Sequence, residues 1–346
     1  MRIGLIGTGR IGAFHAATLA GLPTVTSLVV HDADEDSARA VAARTGAEYA
    51  GDLDSLLGAS RLDGVVIAAP TGTHAELILA AARAGLPAFC EKPVAGTLEE
   101  TDTVLAALEG SPVPLHIGFQ RRFDAGYLAL REAITAGRLG WTHTLRACTS
   151  DPTPPHAGYI PGSGGIFRDC SVHDYDIVRW VTGREVTEVY ATGANRGEDF
   201  FAAAGDVDTA VTLLTLDDGT LATCTATRYN GAGYDVRLEV CGSKGTLAAG
   251  LTDRTPVVSA EGAAWPADTP YGGFMERFQD AYRDELAAFT EVVAGARPSP
   301  CTAQDARAAL AVAEAATRSR AEGRPVPVAP QVPAPDGTAG VAGVTA

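Results

Sequence analysis

Lys92 stands where a lysine could do chemistry. It follows the apolar stretch Leu86-Pro87-Ala88-Phe89-Cys90 and Glu91, and it precedes Pro93. Proline cannot donate to a sheet ladder, so a strand must stop there with Lys92 extended. In an open α/β sheet, the carboxyl end of a strand faces the crevice that takes ligands. Lys92 and Lys244 are the only lysines among 27 basic residues. Where arginine fills nearly every other basic site, a lysine points to a need for a compact ammonium able to lose its proton. Asp169 and His173, four residues apart, form a second chemical pair on one face of an expected helix. On spacing alone they could equally stabilise that helix or supply two metal ligands, with no third ligand at open-site spacing in view.

A cofactor site comes first along the chain. Residues 2–6 read as a short buried strand, followed at once by Gly7-Thr8-Gly9-Arg10-Ile11-Gly12 and a helical pattern through Leu19. This is the GxGxxG turn in the strand–turn–helix setting that dinucleotide binding requires. Gly7 permits the tight turn, Gly9 admits the pyrophosphate to the backbone, and Gly12 lets helix and strand pack closely. The helix start offers free N–H groups to the phosphates. Asp32 closes the second strand twenty residues past Gly12, where an acid would hold the ribose hydroxyls, and Asp34 caps the next helix. A carboxylate at Asp32 would repel a 2′-phosphate, which selects NAD over NADP. Thr71 and His74 follow the apolar run Gly64–Pro70 at another strand end and could line the same cleft, with helix capping as the other reading of both; Thr73 is a candidate cap.

The elements that must position these groups divide the chain in two. Strand and helix patterns alternate through residues 1–120, which predicts a doubly wound parallel sheet, the Rossmann arrangement. From 121 to 325 long alternating strands dominate, with helices expected at Tyr127–Ala136, around Asp169–Trp180, at Phe274–Val293 and at Ala303–Arg320. This half reads as a largely antiparallel open sheet with helices on one face. Residues 326–346, rich in Pro, Ala, Val and Gly, are expected to be a disordered tail. A length of 346 residues suits two domains. A formal charge of −15 argues against nucleic acid and anionic membrane as partners. No apolar run approaches a membrane span, and the amino terminus enters a strand without a signal-peptide layout. Six cysteines scattered singly, without metal-ligand spacing, suit a reducing cytoplasm.

Four motifs fall in one order: Gly7-Thr8-Gly9-Arg10-Ile11-Gly12, Glu91-Lys92-Pro93, Gly118-Phe119-Gln120-Arg121-Arg122, and Asp169 with His173-Asp174. In this combination the chain resembles the glucose–fructose oxidoreductase / inositol dehydrogenase / rhizopine-catabolism family from residue 1 to about 325. Within it, Gly118–Asp124, Ser163–Asp169, Val181–Glu185 and Gly205–Asp208 are most similar to bacterial inositol 2-dehydrogenases. The resemblance implies NAD(H), a cyclitol or sugar substrate, and tetramers or dimers built on the open sheet; without a third ligand in view, no metal is expected. It implies a catalytic set of Lys92, Asp169 and His173, with Glu91, Lys92 and Gln120 beside the cofactor. In that setting His173 is the natural base, since an imidazole with pKa near ~6.5 accepts a proton around neutrality. Asp169 would orient it or bind a neighbouring hydroxyl, and Lys92 would donate to the reacting oxygen. Arg121, Asp151, His156 and Tyr234 are the candidates for the remaining ring hydroxyls. The function expected is oxidation of myo-inositol to its 2-ketone. A dehydrogenase of another inositol or aldose, and an NAD-binding sensor without turnover, are the alternatives.

Overall fold

Each buried apolar run in the first 120 residues becomes a parallel strand. The computed structural model describes residues 1–58, 62–262 and 268–329. In chain order the first half contains β1 (Arg2–Ile6), α1 (Arg10–Gly21), β2 (Ser27–His31), α2 (Glu35–Thr45), β3 (Glu48–Tyr49) and α3 (Leu53–Leu57). It continues with β4 (Gly64–Ile67), α4 (His74–Arg83), β5 (Ala88–Glu91), α5 (Leu98–Ala107) and β6 (Leu115–Gly118). The strands lie in the order β3-β2-β1-β4-β5-β6, parallel throughout. The order reverses beside β1, and the crevice at that switch point is where such sheets take nucleotides. Every residue of β4 is buried, as an apolar run covered on both faces requires.

The second half contains α6 (Ala125–Thr135), β7 (Thr142–Ser150), α7 (Val172–Thr182), β8 (Val186–Ala194), α8 (Phe200–Ala203), β9 (Thr209–Leu216) and β10 (Leu221–Thr227). It ends with β11 (Asp235–Gly242), β12 (Gly245–Ala249), α9 (Phe274–Arg277), α10 (Gln279–Val293), α11 (Ala303–Glu322) and β13 (Val326–Pro327). The sheet order is β12-β11-β7-β10-β9-β8-β13. All its pairs are antiparallel except β7 with β10, which run parallel. Along β9, Ala210, Thr212, Leu214 and Leu216 turn inward, while Val211 and Leu213 face out. The inward face is covered by α7 and α11.

Three features differ from the sequence expectations. The helix expected at Phe274–Val293 breaks at Phe278 into α9 and α10. Leu286 and Phe289 of α10 join the core of the nucleotide half with Ile3, Leu5, Val66 and Phe89, so packing does not respect the boundary at residue 120. Val326 and Pro327, placed in the tail, pair with β8, and Val326 is fully buried. The rest of that expected tail, from residue 330, lies outside the described residues. Among the described residues no helix is long and apolar enough to cross a membrane.

Candidate active site

The GxGxxG turn has the steric signature of a backbone cradle. Gly7 has φ +95°, and a Cβ there would lie 2.5 Å from the Ala69 nitrogen. A Cβ on Gly12 would lie 1.9 Å from the Gly7 carbonyl oxygen, whereas at Gly9 it would meet nothing within 4 Å. Two glycines are therefore obligatory for packing, and the third faces open space. The first turn of α1 carries neither a capping side chain nor an acidic residue, which leaves its N–H groups for an anion. Arg10 holds its guanidinium over Phe274 at 5.2 Å, and Ile11 packs against the core of the second half.

Asp32 ends β2 with its carboxylate already set. Oδ2 accepts from the Thr8 N–H at 2.5 Å and its hydroxyl at 3.0 Å, and Oδ1 accepts from the Asp34 N–H at 2.9 Å. Burial pushes its pKa up, but these hydrogen bonds outweigh burial and hold the group ionised. Asp34 caps α2 through the Ser37 N–H. The chemistry of this donor and acceptor set fits NAD: Gly7, Gly9, Gly12 and the start of α1 for the pyrophosphate, Asp32 for the ribose.

Around the cleft mouth the expectations fare unevenly. Thr71 is half-buried at the carboxyl end of β4. The Thr73 hydroxyl donates to the Pro70 carbonyl and caps no helix. His74 is 1% exposed, and its ring nitrogens contact the Pro93 and Ala69 carbonyls at 2.7 and 2.8 Å. It braces the loop after β5 instead of lining the cleft. Glu91, expected beside the cofactor, points inward to His15 at 2.6 Å. Gln120 is buried in the short 3-10 turn after β6.

Lys92 and Asp169 meet, and His173 follows Asp169 by one turn, near enough to Lys92 to feel its charge. The Lys92 ammonium donates to the Asp169 backbone carbonyl at 3.1 Å and lies 3.6 Å from its Oδ1. Asp169 sits in a π-helical turn, Phe167–Ser171, that runs directly into α7, where His173 lies in the first turn. The sequence expectation was one continuous α-helix; the wider i→i+5 turn is the difference, and such turns gather at functional sites. Phe119 meets the His173 ring edge to face at 5.8 Å. The His173 Nδ1 is enclosed and has no hydrogen-bond partner. Burial, with the charges of Lys92 and Arg121 adding to it, pushes this imidazole well below its ordinary pKa. It is therefore neutral, and base-competent, at pH values well below the 6.5 expected from sequence.

Arg228 is the residue the sequence reading missed. Only 4% of its side chain is exposed. It donates to Asp169 Oδ2 at 2.6 Å and to Asp151 Oδ2 at 3.0 Å, and so holds two carboxylates with one planar fork. The parallel pairing of β7 and β10 makes this possible: Ser150 registers with Thr227, so Asp151 and Arg228 leave the sheet side by side. Burial would raise the Asp169 carboxyl, but the charges of Lys92 and Arg228 outweigh it and hold the group below the usual range. At Asp151 burial wins over Arg228, and the carboxyl is raised. Asp169 Oδ1 also accepts from the Tyr159 hydroxyl at 2.9 Å.

The four candidates for ring hydroxyls separate. Asp151 is at the cleft but engaged with Arg228. His156 is exposed on the loop above it, its ring 6.3 Å from that of Tyr159. Arg121, 2% exposed, is a structural cation: it donates to Asp174 at 2.5 Å and to Thr149 at 2.9 Å, so the substrate contact expected of it is not made available. Tyr234, 5% exposed, belongs to the hydrophobic core of the second half. Among the described residues no cluster of side chains could hold a metal ion.

Comparison with known proteins bears on both halves. Residues 1–119 match the oxidoreductase family with an NAD-binding Rossmann fold, and residues 127–248 match the GFO/IDH/MocA C-terminal domain. The myo-inositol 2-dehydrogenase of Thermotoga maritima is 38% identical over 327 residues, 94% of this chain and 98% of that protein. The crystal structure of a myo-inositol dehydrogenase from Corynebacterium glutamicum superposes with a TM-score of 0.87 at 35% identity, covering 95% of this chain and 99% of that one. A scyllo-inositol dehydrogenase from Lactobacillus casei, solved with bound NAD(H) and scyllo-inositol, gives 0.86 at 28% identity, covering 94% and 98%. Matched in both halves and over nearly its whole length, the chain belongs to the GFO/IDH/MocA family of NAD-dependent oxidoreductases.

Proposed function

We propose that the chain oxidises a secondary alcohol of a cyclitol, with myo-inositol going to its 2-ketone as the first choice. The observation that carries this reading is the contact of the Lys92 ammonium with Asp169 at the carboxyl end of β5, with His173 in the first turn of the helix that follows Asp169. Bound NAD supplies the hydride acceptor. The chain's part is to remove the hydroxyl proton and to steady charge on oxygen as the carbon–hydrogen bond breaks. His173 takes the proton, Lys92 donates to the same oxygen, and Asp169 binds the adjacent hydroxyl while keeping the ammonium in place. Arg228 fixes Asp169 against rotation. Similarity to dehydrogenases of both myo- and scyllo-inositol supports a cyclitol over an open-chain alcohol.

The test is NADH absorbance with purified protein against myo-, scyllo- and other inositols and a panel of aldoses. Turnover with myo-inositol at the highest kcat/KM is the expected result. Turnover confined to aldoses would move the substrate class, and no NADH with any polyol would leave an NAD-binding sensor as the reading. We also propose a homo-oligomer, dimer or tetramer, joined through the outer face of the second sheet. There Tyr190, Val211, Leu213 and Leu221 are each at least 40% exposed on the neighbouring strands β8, β9 and β10. A contiguous apolar sheet face of this kind is ordinarily covered. Light scattering that reports a monomer would remove the assembly but not the chemistry.

A further inference from the structure

His15 is a buried titratable group that neither the cofactor cradle nor the catalytic set accounts for. It lies on α1, fully buried, with its ring edges against Phe89 at 5.7 Å and Tyr282 at 5.6 Å between centroids. Its Nε2 is 2.6 Å from Glu91 Oε1, while its Nδ1 has no partner. Glu91 is the last residue of β5, registered with Gly118 of β6, and the next residue is Lys92. Successive side chains along an extended chain point to opposite sides. Tying Glu91 inward to α1 therefore sets the rotation of the backbone that sends Lys92 outward to the cleft. On the far side, Glu285 of α10 is fully buried next to Glu91. Burial, and then the Glu91 charge, push the Glu285 carboxyl well up, and the side-chain hydrogen bond of Glu91 is made to His15.

We propose that His15 is a positioning residue: through Glu91 it holds the end of β5 so that the Lys92 ammonium stays on the Asp169 carbonyl and aimed at the reacting oxygen. It thereby joins the helix that receives the pyrophosphate to the group that serves the alcohol. The kinetic half of this inference rests on the cyclitol reading above; the structural half does not.

The chain's two lysines make a direct test possible. Lys244 is exposed at the turn between β11 and β12 and serves as internal reference for Lys92. The native full-length protein is treated with an amine-acylating reagent, and the two lysine peptides are followed by mass spectrometry. In His15→Ala, Lys92 should be acylated several-fold faster relative to Lys244 than in the wild type. kcat should fall by about ten- to a hundredfold, as small misplacements of a catalytic group do. NAD affinity by fluorescence titration should hold. His15→Gln, which offers an amide N–H where Nε2 sits, should restore both readouts. His15→Phe fills the aromatic cage without donating, and should behave like alanine if the alanine variant folds poorly. An unchanged acylation ratio in both His15→Ala and His15→Phe overturns the proposal. So does a glutamine variant as impaired as alanine with an equal loss in Tm, which would mark His15 as a packing residue. If the ratio shifts as expected while the wild type turns over no polyol, the cyclitol reading fails and the positioning role stands.

Discussion

The cofactor cradle and the proposed catalytic cleft are built on opposite plans. The cradle rests on one contiguous segment, Gly7 to Gly12, joined by Asp32 at the end of the neighbouring strand, and works through backbone N–H groups, absent side chains and one carboxylate. The cleft is assembled from side chains on four separate segments, Lys92 after β5, Asp151 after β7, Asp169 and His173 at the head of α7, and Arg228 after β10. The first depends on local conformation, and the second on how distant strands pair. A site of the first kind tolerates little change at the two glycines whose Cβ would strike backbone, Gly7 and Gly12. A site of the second kind changes function when one strand neighbour changes.

The sharpest way to separate the two is Lys92→Ala. Losing a preorganised donor to the reacting oxygen should lower kcat by about 10²–10³-fold, with NAD affinity unchanged in a fluorescence titration. Turnover near the wild-type rate would exclude the ammonium from the chemistry. Arg228→Lys comes next. A point charge cannot bridge both Asp151 and Asp169, so kcat/KM should fall about tenfold or more and Tm should drop, as half-broken buried pairs cost about 3–5 kcal/mol. Steady-state kinetics and thermal melts check both.

The pH profile is a subtler probe of the cleft. Because the His173 pKa is lowered, the imidazole remains the proton acceptor as pH falls through 6.5 and loses that role only at more acidic pH. The acid limb of log kcat/KM should therefore have its midpoint below 6.5; a midpoint above 6.5 would contradict a buried neutral base. The smallest effect belongs to the cradle. Asp32→Ser should narrow the preference for NAD over NADP by about tenfold through loss of one charge near the ribose, measured as the ratio of kcat/KM values. An unchanged ratio would remove Asp32 from cofactor choice.

This contrast also explains what could be read from the sequence. The cradle was legible because its residues are neighbours in the chain and the chemistry of each glycine is steric. The order of the motifs set Lys92 beside Asp169, and the two are in contact. Arg228 was hidden among many arginines, and its role follows from a single parallel pair inside a sheet whose alternation predicts antiparallel neighbours. Arg121 misled for the converse reason. Its position just after β6 suggests a ligand, but Asp174, 53 residues on, takes it into the interior. Glu91 looked like a cleft residue beside Lys92, and only the burial of His15 on α1 reveals that it faces the other way. A long-range ion pair leaves no mark on local periodicity.

Phe289 of α10 lies 5.9 Å from Phe89, and a Cβ on Gly64 would meet it at 3.4 Å and Val293 at 2.9 Å. For a polypeptide made from its amino end, the nucleotide half therefore leaves the ribosome with one flank of its sheet unsealed. It stays so until almost three hundred residues have been synthesised. Truncations that keep residues 1–120 alone would inherit that bare flank, and co-expression of the last two helices is the natural way to heal it.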